Sequence, residues 1–455
     1  MTTTRGDETT AQAWAALGGD AAAAGRVEYR GGSALGTGRL PVRELARATV
    51  GACSLAAAEL AEVRAGRGTG SGDGPLTVDE GAVSTAFVSE RHLLVEGRAP
   101  VSFAPLSGFW RTADGWLRTH ANYPHHRGPL LGALGIPDDD RAPEAMRKAL
   151  EGLRAAEVQE RVYAAGGLAV AVAQPYGDPQ PLVTWGPRSG GGRELGPAAT
   201  TGDGAVLPAS GVRVLDLTRV IAGPVATRTL GLLGADVLRV DPPQMPEADD
   251  AHADTGFGKR SARLDLTAAG DRAVFEELLA TADVVVSGYR PGALDRLGLS
   301  AEALLERRPG LVVAELCAWG WTGDWSGRRG FDSLVQAGYG ISAAEADAEG
   351  RPGVLPAQAL DHGTGYLTAG AVLRALAGGG GRTVRLSLAG TASWLVREVA
   401  PVAPGEEPYT PGDWLRPAPS GYGELRHALP PVAVGPADWS RTPSRWGTDA
   451  PVWLP

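Results

Sequence analysis

The stretch that most constrains this chain covers residues 211–243, GVRVLDLTRVIAGPVATRTLGLLGADVLRVDPP. Residues 212–217 alternate and carry Val and Leu, which predicts a buried strand. Gly223-Pro224 then opens a helix, with proline in the first turn where its missing N–H costs nothing, and Gly234 predicts the end of that helix. Residues 237–240 are a second apolar run, stopped by Pro242-Pro243. Strand, helix and strand over about 30 residues make a βαβ unit, whose crossover rule predicts parallel strands. The first turn reads T-R-V-I-A-G-P rather than G-x-G-x-x-G, so nicotinamide and flavin binding are disfavoured. A bare structural βαβ unit with no ligand remains open on this pattern.

The same residues resemble the opening segment of the family III CoA-transferases, which include formyl-CoA and carnitine CoA-transferases and the related α-methylacyl-CoA racemases. Two later phrases extend the resemblance. GKRSARLDL at 258–266 is similar to the family's N-K-R-S-x-x-L-D-L, and GYRPGALDR at 288–296 to N-[FY]-x-P-G-A-L-D-R. Between and beyond them, a helix over 271–281 and apolar strands at 283–287 and 311–316 continue the alternation. The expected fold class is α/β: a doubly wound parallel sheet, Rossmann-like, as the large domain, with a smaller α/β domain placed N-terminally.

At 455 residues the chain exceeds what one core fills, and 43% apolar residues suffice for several. The boundaries expected are an N-terminal arm (1–39), a connecting helix segment (40–102), a small α/β domain (103–173), a linker rich in Pro and Gly (174–210), a large CoA-binding catalytic domain (211–400) and a Pro-rich C-terminal extension (401–455). LPVRELARATVG from Leu40 lines up with LPAQALDHGTGY from Leu355, and each precedes an Ala-rich helix, a glycine turn and a short strand. The first copy then reads as a degenerate repeat in a chain whose domain order departs from that of the family. A net charge of −9 argues against a nucleic-acid surface, and no apolar run approaches a membrane span or a signal core. Two cysteines in apolar stretches suit a reducing compartment, so a soluble, cytoplasmic protein is expected.

Searching for chemistry eliminates most motifs: there is no G-x-S-x-G, P-loop, H-E-x-x-H or C-x-x-C, and no metal is expected. The tandem His125-His126 reads as a capping or surface pair. Asp361 lies at the start of an apolar helix, where an N-cap is the plain reading. The resemblance makes it the nucleophile instead, in L-D-H-G-T-G for the family's [LV]-x-D-x-x-[TS]-G, while the first copy has Ala46 there. It further implies coenzyme A as co-substrate, Lys259 and Arg296 on its phosphates, Tyr289 beside its adenine, Val220 and Ile221 lining the first turn, and Phe331 against the thiol arm. The implied reaction moves CoA from an acyl-CoA to a small carboxylic acid through aspartyl anhydride and aspartyl-CoA intermediates. An acyl-CoA racemase, with His362 as second base, and an inactive CoA-binding protein are the alternatives. The expected assembly is a homodimer, with no nucleic-acid or membrane partner.

Overall fold

The computed structural model describes residues 3–68, 74–101, 103–403 and 407–455. Its main sheet has seven strands: Thr184–Arg188 (β1), Arg213–Leu217 (β2), Asp236–Asp241 (β3), Lys259–Arg263 (β4), Val284–Ser287 (β5), Val312–Cys317 (β6) and Arg382–Ser387 (β7). They lie in the order β4-β3-β2-β5-β6-β7-β1, with β2 to β7 parallel and β1 antiparallel to β7. The βαβ unit read from the sequence is β2, the helix Ala222–Leu232 and β3. That helix ends as expected: Gly234 takes φ 100°, and the Ala235 N–H donates back to the Leu230 carbonyl at 3.0 Å.

Period-two alternation divides the apolar side chains of the sheet between two cores. Val214, Val237, Val284 and Val312 join one layer, Leu215, Leu238, Val285 and Val313 the other, and none is more than 1% exposed. Burial on both faces explains why these strands read as near-continuous Val and Leu runs. Strand order reverses between β2 and β5, so the connections leave their carboxyl ends in opposite directions and open a crevice there.

The two aligned sequence copies also meet in space. The helices Val42–Arg64 and Ala359–Ala377 run side by side in the same direction: a Cβ on Gly363 would fall 2.9 Å from Leu45, one on Gly370 would fall 3.4 Å from Cys53, and Arg374 pairs with Glu59. Each helix leads to a strand whose last residue caps the next helix. Asp79 accepts from the Gly81 N–H and Ser387 Oγ from the Gly390 N–H, both at 2.9 Å.

A separate antiparallel sheet, Phe109–Arg111, Trp116–Thr119 and Ala169–Ala171, is covered by the helices Pro124–Leu134, Ala142–Leu150 and Ala155–Ala164. Leu117, Leu130, Met146 and Val162 form its own fully buried core. Its hairpin turns at Asp114, whose Oδ1 accepts from the Ala155 N–H at 2.9 Å and ties turn to helix.

Three segments carry more structure than the sequence suggests. The stretch expected as a linker, 174–210, contributes edge strand β1, held by Trp185, whose ring lies 4.6 Å under the Arg382 guanidinium and whose Nε1 donates to the Ala16 carbonyl. Pro and Gly hide that strand because an edge position tolerates them. Within 1–39, Asp7 caps the helix Glu8–Ala16 and binds Arg47, and the strand Val27–Arg30 pairs with Leu76–Asp79. In the C-terminal extension, Leu415–Ser420 and Gly423–Ala428 form a hairpin, and Trp446 Nε1 donates to Asp241 Oδ2 at 2.9 Å, laying the tail across the main sheet. Among the described residues, no helix is long and apolar enough to cross a membrane.

Candidate active site

A cavity of about 680 Å³ opens at the carboxyl ends of the parallel strands. Leu217 ending β2, Val240 in β3, and Leu316 and Cys317 ending β6 line it, while Tyr123 and His126 from the small sheet's helical layer lie on one side. The first turn after β2 is strained: Val220 takes φ 71°, a left-handed conformation costly for a β-branched residue. Glu247 Oε2 accepts its N–H at 3.3 Å, and Gly223 allows the turn to close, since a Cβ there would lie 2.3 Å from Thr218 Cβ. Backbone strain of this kind collects at functional sites, and this turn lies at the switch point of the sheet.

Asp361 lines this cavity and is only 6% exposed. It sits in the first turn of the helix Ala359–Ala377 but does not cap it. Asp332 does so from outside, with Oδ2 accepting from the Leu360 and Asp361 N–H groups at 2.9 and 3.0 Å. Gly363 and Gly365 lie inside that helix, so their N–H groups serve its own ladder. Burial, then the Asp332 and Glu90 carboxylates, hold the Asp361 carboxyl well above its ordinary range. Asp332 is pushed up to about 6 by burial, against the opposing pull of the two backbone N–H groups.

Of the residues singled out in the sequence, Asp361, Tyr289, Arg296, Val220 and Phe331 are brought together around the cavity. Arg296 is exposed at its rim. Phe331 presents one face to His120, with ring centroids 3.9 Å apart and planes within 1°. Two residues fall elsewhere. Ile221 packs against the core beneath the turn. Lys259 is turned inward, 1% exposed, with Nζ 3.1 Å from Asp216 Oδ2, and burial lowers its ammonium to about 8. Its ion pair anchors β4 to β2, and a charge so placed cannot meet a phosphate. His362 is likewise removed as a second base: it is fully buried, stacked on Phe87, with Nε2 3.5 Å from Glu90 Oε2, longer than a good hydrogen bond.

The pair read as capping or surface histidines divides. His125 is exposed, but His126 is 3% exposed, faces the cavity, and lies edge-on to Phe331 at 5.6 Å. Burial lowers its imidazole to about 3, so it is neutral at physiological pH. Sequence patterns do not single out Arg219 and His126, which line the cavity, or Asp332, which accepts from the Asp361 N–H. The one usable signal was Pro124, which as a helix-opening residue places His126 in a first turn.

Residues 209–419 match CoA-transferase family III. Over this stretch the chain is similar to that family. It is 37% identical over 202 residues to the acetyl-coenzyme A transferase nodX of Hypoxylon pulicicidum, covering 42% of this chain and 34% of that one. It is 36% identical over 182 residues to a probable fatty acyl-CoA transferase of Mycobacterium tuberculosis, covering 37% and 46%. A solved hypothetical protein of Mycobacterium tuberculosis is 35% identical, covering 42% of this chain and 56% of that one, with a TM-score of 0.40. The chain thus spans between a third and half the length of the curated relatives it matches.

Proposed function

We propose that this chain is a family III CoA-transferase that moves CoA from an acyl-CoA to a carboxylic acid, with Asp361 as nucleophile. The observation that carries this reading is a buried carboxylate, Asp361, lining the same cavity as the strained first turn, Phe331 and the small-domain wall. Its raised proton affinity reflects poor solvation, and a poorly solvated carboxylate, once ionised, is a stronger nucleophile.

The Asp361 carboxylate attacks the thioester carbonyl, the carbon–sulfur bond breaks, and CoA leaves as thiolate from an acyl-aspartyl anhydride. The thiolate returns to the aspartyl carbonyl and expels the acyl group as its carboxylate. The acceptor carboxylate then attacks the aspartyl-CoA thioester, and thiolate attack on the resulting anhydride's acyl carbonyl releases the new acyl-CoA and free Asp361. No proton is gained or lost over the cycle, so no second base is required. This accords with Phe331 in the cavity, whose ring cannot move a proton.

For CoA itself, Arg296 and Arg290 at the rim suit the phosphates, as charge-assisted donors on the loop after β5, and Tyr289 suits the adenine. In this reading the main sheet is a Rossmann-like frame whose switch point serves CoA instead of a dinucleotide. The test is to incubate the protein with an acyl-CoA alone, quench with hydroxylamine, and map the modified peptide by mass spectrometry. Modification at Asp361 with release of free acid is expected. CoA binding without modification or exchange across a broad acid panel would leave the inactive binding-protein reading.

A further inference from the structure

The catalytic end of the cavity poses an electrostatic problem for the second substrate. An acceptor acid arrives as an anion, yet the surroundings of Asp361 already contain two carboxylates, Asp332 and Glu90, whose charges oppose another negative group. Whatever holds the acceptor must therefore stand on a different wall and offer donors.

One wall does. His126 is nine-tenths buried and more, faces the cavity, and its Nδ1 has no hydrogen-bond partner among the described residues. Arg219, on the strained first turn, lies against the same wall with its guanidinium 5.8 Å from the Tyr123 ring centroid. Its Nη2 donates to the Pro246 carbonyl at 3.0 Å and its Nε lies 3.6 Å from Glu247 Oε2, while its buried Nη1 has no partner. Glu247 is meanwhile also bound by Arg239 at 3.2 Å and by the Tyr123 hydroxyl at 2.9 Å, so it does not take up the whole Arg219 charge. Orphaned buried nitrogens are costly, and here both belong to residues that line one cavity, where a ligand could satisfy them. Phe331 connects this wall to the nucleophile: His126 packs on its edge, and the next residue, Asp332, holds the Asp361 N–H.

We propose that His126 and Arg219 form the seat for the carboxylate of the acceptor acid, presented by the small sheet's helical layer and the first turn to the Asp361-bound thioester. This inference rests on the transferase reading and adds to it the side from which the acceptor attacks. His126 contributes a neutral N–H and Arg219 the charge, so the seat holds a carboxylate loosely enough to let it react.

Calorimetric titration of the CoA-saturated protein with benzoate and with succinate tests it. In His126→Leu and in Arg219→Gln, carboxylate affinity should fall at least tenfold while CoA affinity stays within twofold, and His126→Gln, which keeps a donor, should recover part of the loss. In turnover, the KM for the acid should rise. Carboxylate affinity unaltered in both variants, or lost in both only together with CoA affinity, overturns the seat. Deuterium incorporated from solvent into a 2-methylacyl-CoA by the unsubstituted protein and abolished by His126→Leu would assign His126 to proton transfer and overturn it as well. Failure of the unsubstituted protein to bind CoA removes the transferase reading and this seat with it.

Discussion

Asp332 caps the helix that carries Asp361, its Oδ2 accepting from the Asp361 N–H at 3.0 Å while its charge raises the proton affinity of the Asp361 carboxyl. The two effects oppose each other: the cap fixes the nucleophile's backbone, and the same carboxylate disfavours the nucleophile's ionised form. Only ionised Asp361 attacks, so kcat/KM for the acyl-CoA should rise with pH through a range above that of ordinary carboxylates and then level off. Asp332→Asn removes the opposing charge, so that limb should move to lower pH. A limb that stays put or moves to higher pH would show that Asp332 acts on Asp361 through structure alone.

Asp361 should also limit stability. Its folded-state proton affinity exceeds that of the unfolded chain, so the folded state gains from its protonation at low pH, and that gain is lost as pH rises through the raised folded value. Each unit of the shift corresponds to about 1.4 kcal/mol. Asp361→Asn should therefore raise Tm by a few degrees at neutral pH and have little effect at low pH, while lowering exchange by on the order of 10³-fold or more. Asp361→Ala should abolish exchange with CoA binding nearly intact, as equilibrium dialysis would report. Full exchange in either variant would dismiss Asp361 as nucleophile.

Lys259 and Arg296 separate a structural cation from a ligand-facing one. Lys259→Met leaves Asp216 buried without its ion-pair partner and should cost about 3–5 kcal/mol of stability, with unchanged CoA affinity in the protein that remains folded. Arg296→Ala should leave Tm unchanged and weaken CoA binding about tenfold at low salt, less at high salt. Denaturation midpoints and CoA titrations on both variants check the pair, and the reverse outcome would return Lys259 to the phosphates.

How much of this was legible in the chain follows from how local each signal is. The strand, helix and strand over 211–243 were readable because period, proline and glycine all lie within that stretch. Asp361 and Phe331 were readable through their short phrases. Asp332 as the cap of a helix 28 residues away, Glu90 behind His362 and His126 facing Phe331 were not, since each depends on elements far apart in sequence meeting in space. Lys259 shows the opposite failure. Its phrase was recognised, but only burial and the neighbouring Asp216 reveal which way the side chain turns.

Glu59 and Arg374 give the last prediction. Each lies 19 residues beyond the leucine that begins its copy of the repeat, Leu40 and Leu355, and the two side chains pair across parallel helices of one chain. Resemblance to the interlocked dimers of the family leads to an expected homodimer. The repeat allows another arrangement, in which one chain takes the place of two. One face of the Ala359–Ala377 helix is covered by the Val42–Arg64 helix, with Leu45 and Cys53 packed into Gly363 and Gly370. An obligate dimer needs a large apolar interface, and this one is used internally. Light scattering at micromolar concentration should therefore return the mass of a single chain, with specific activity independent of dilution. A mass of two chains, together with activity lost on dilution, would restore the homodimer and require a second interface away from these helices.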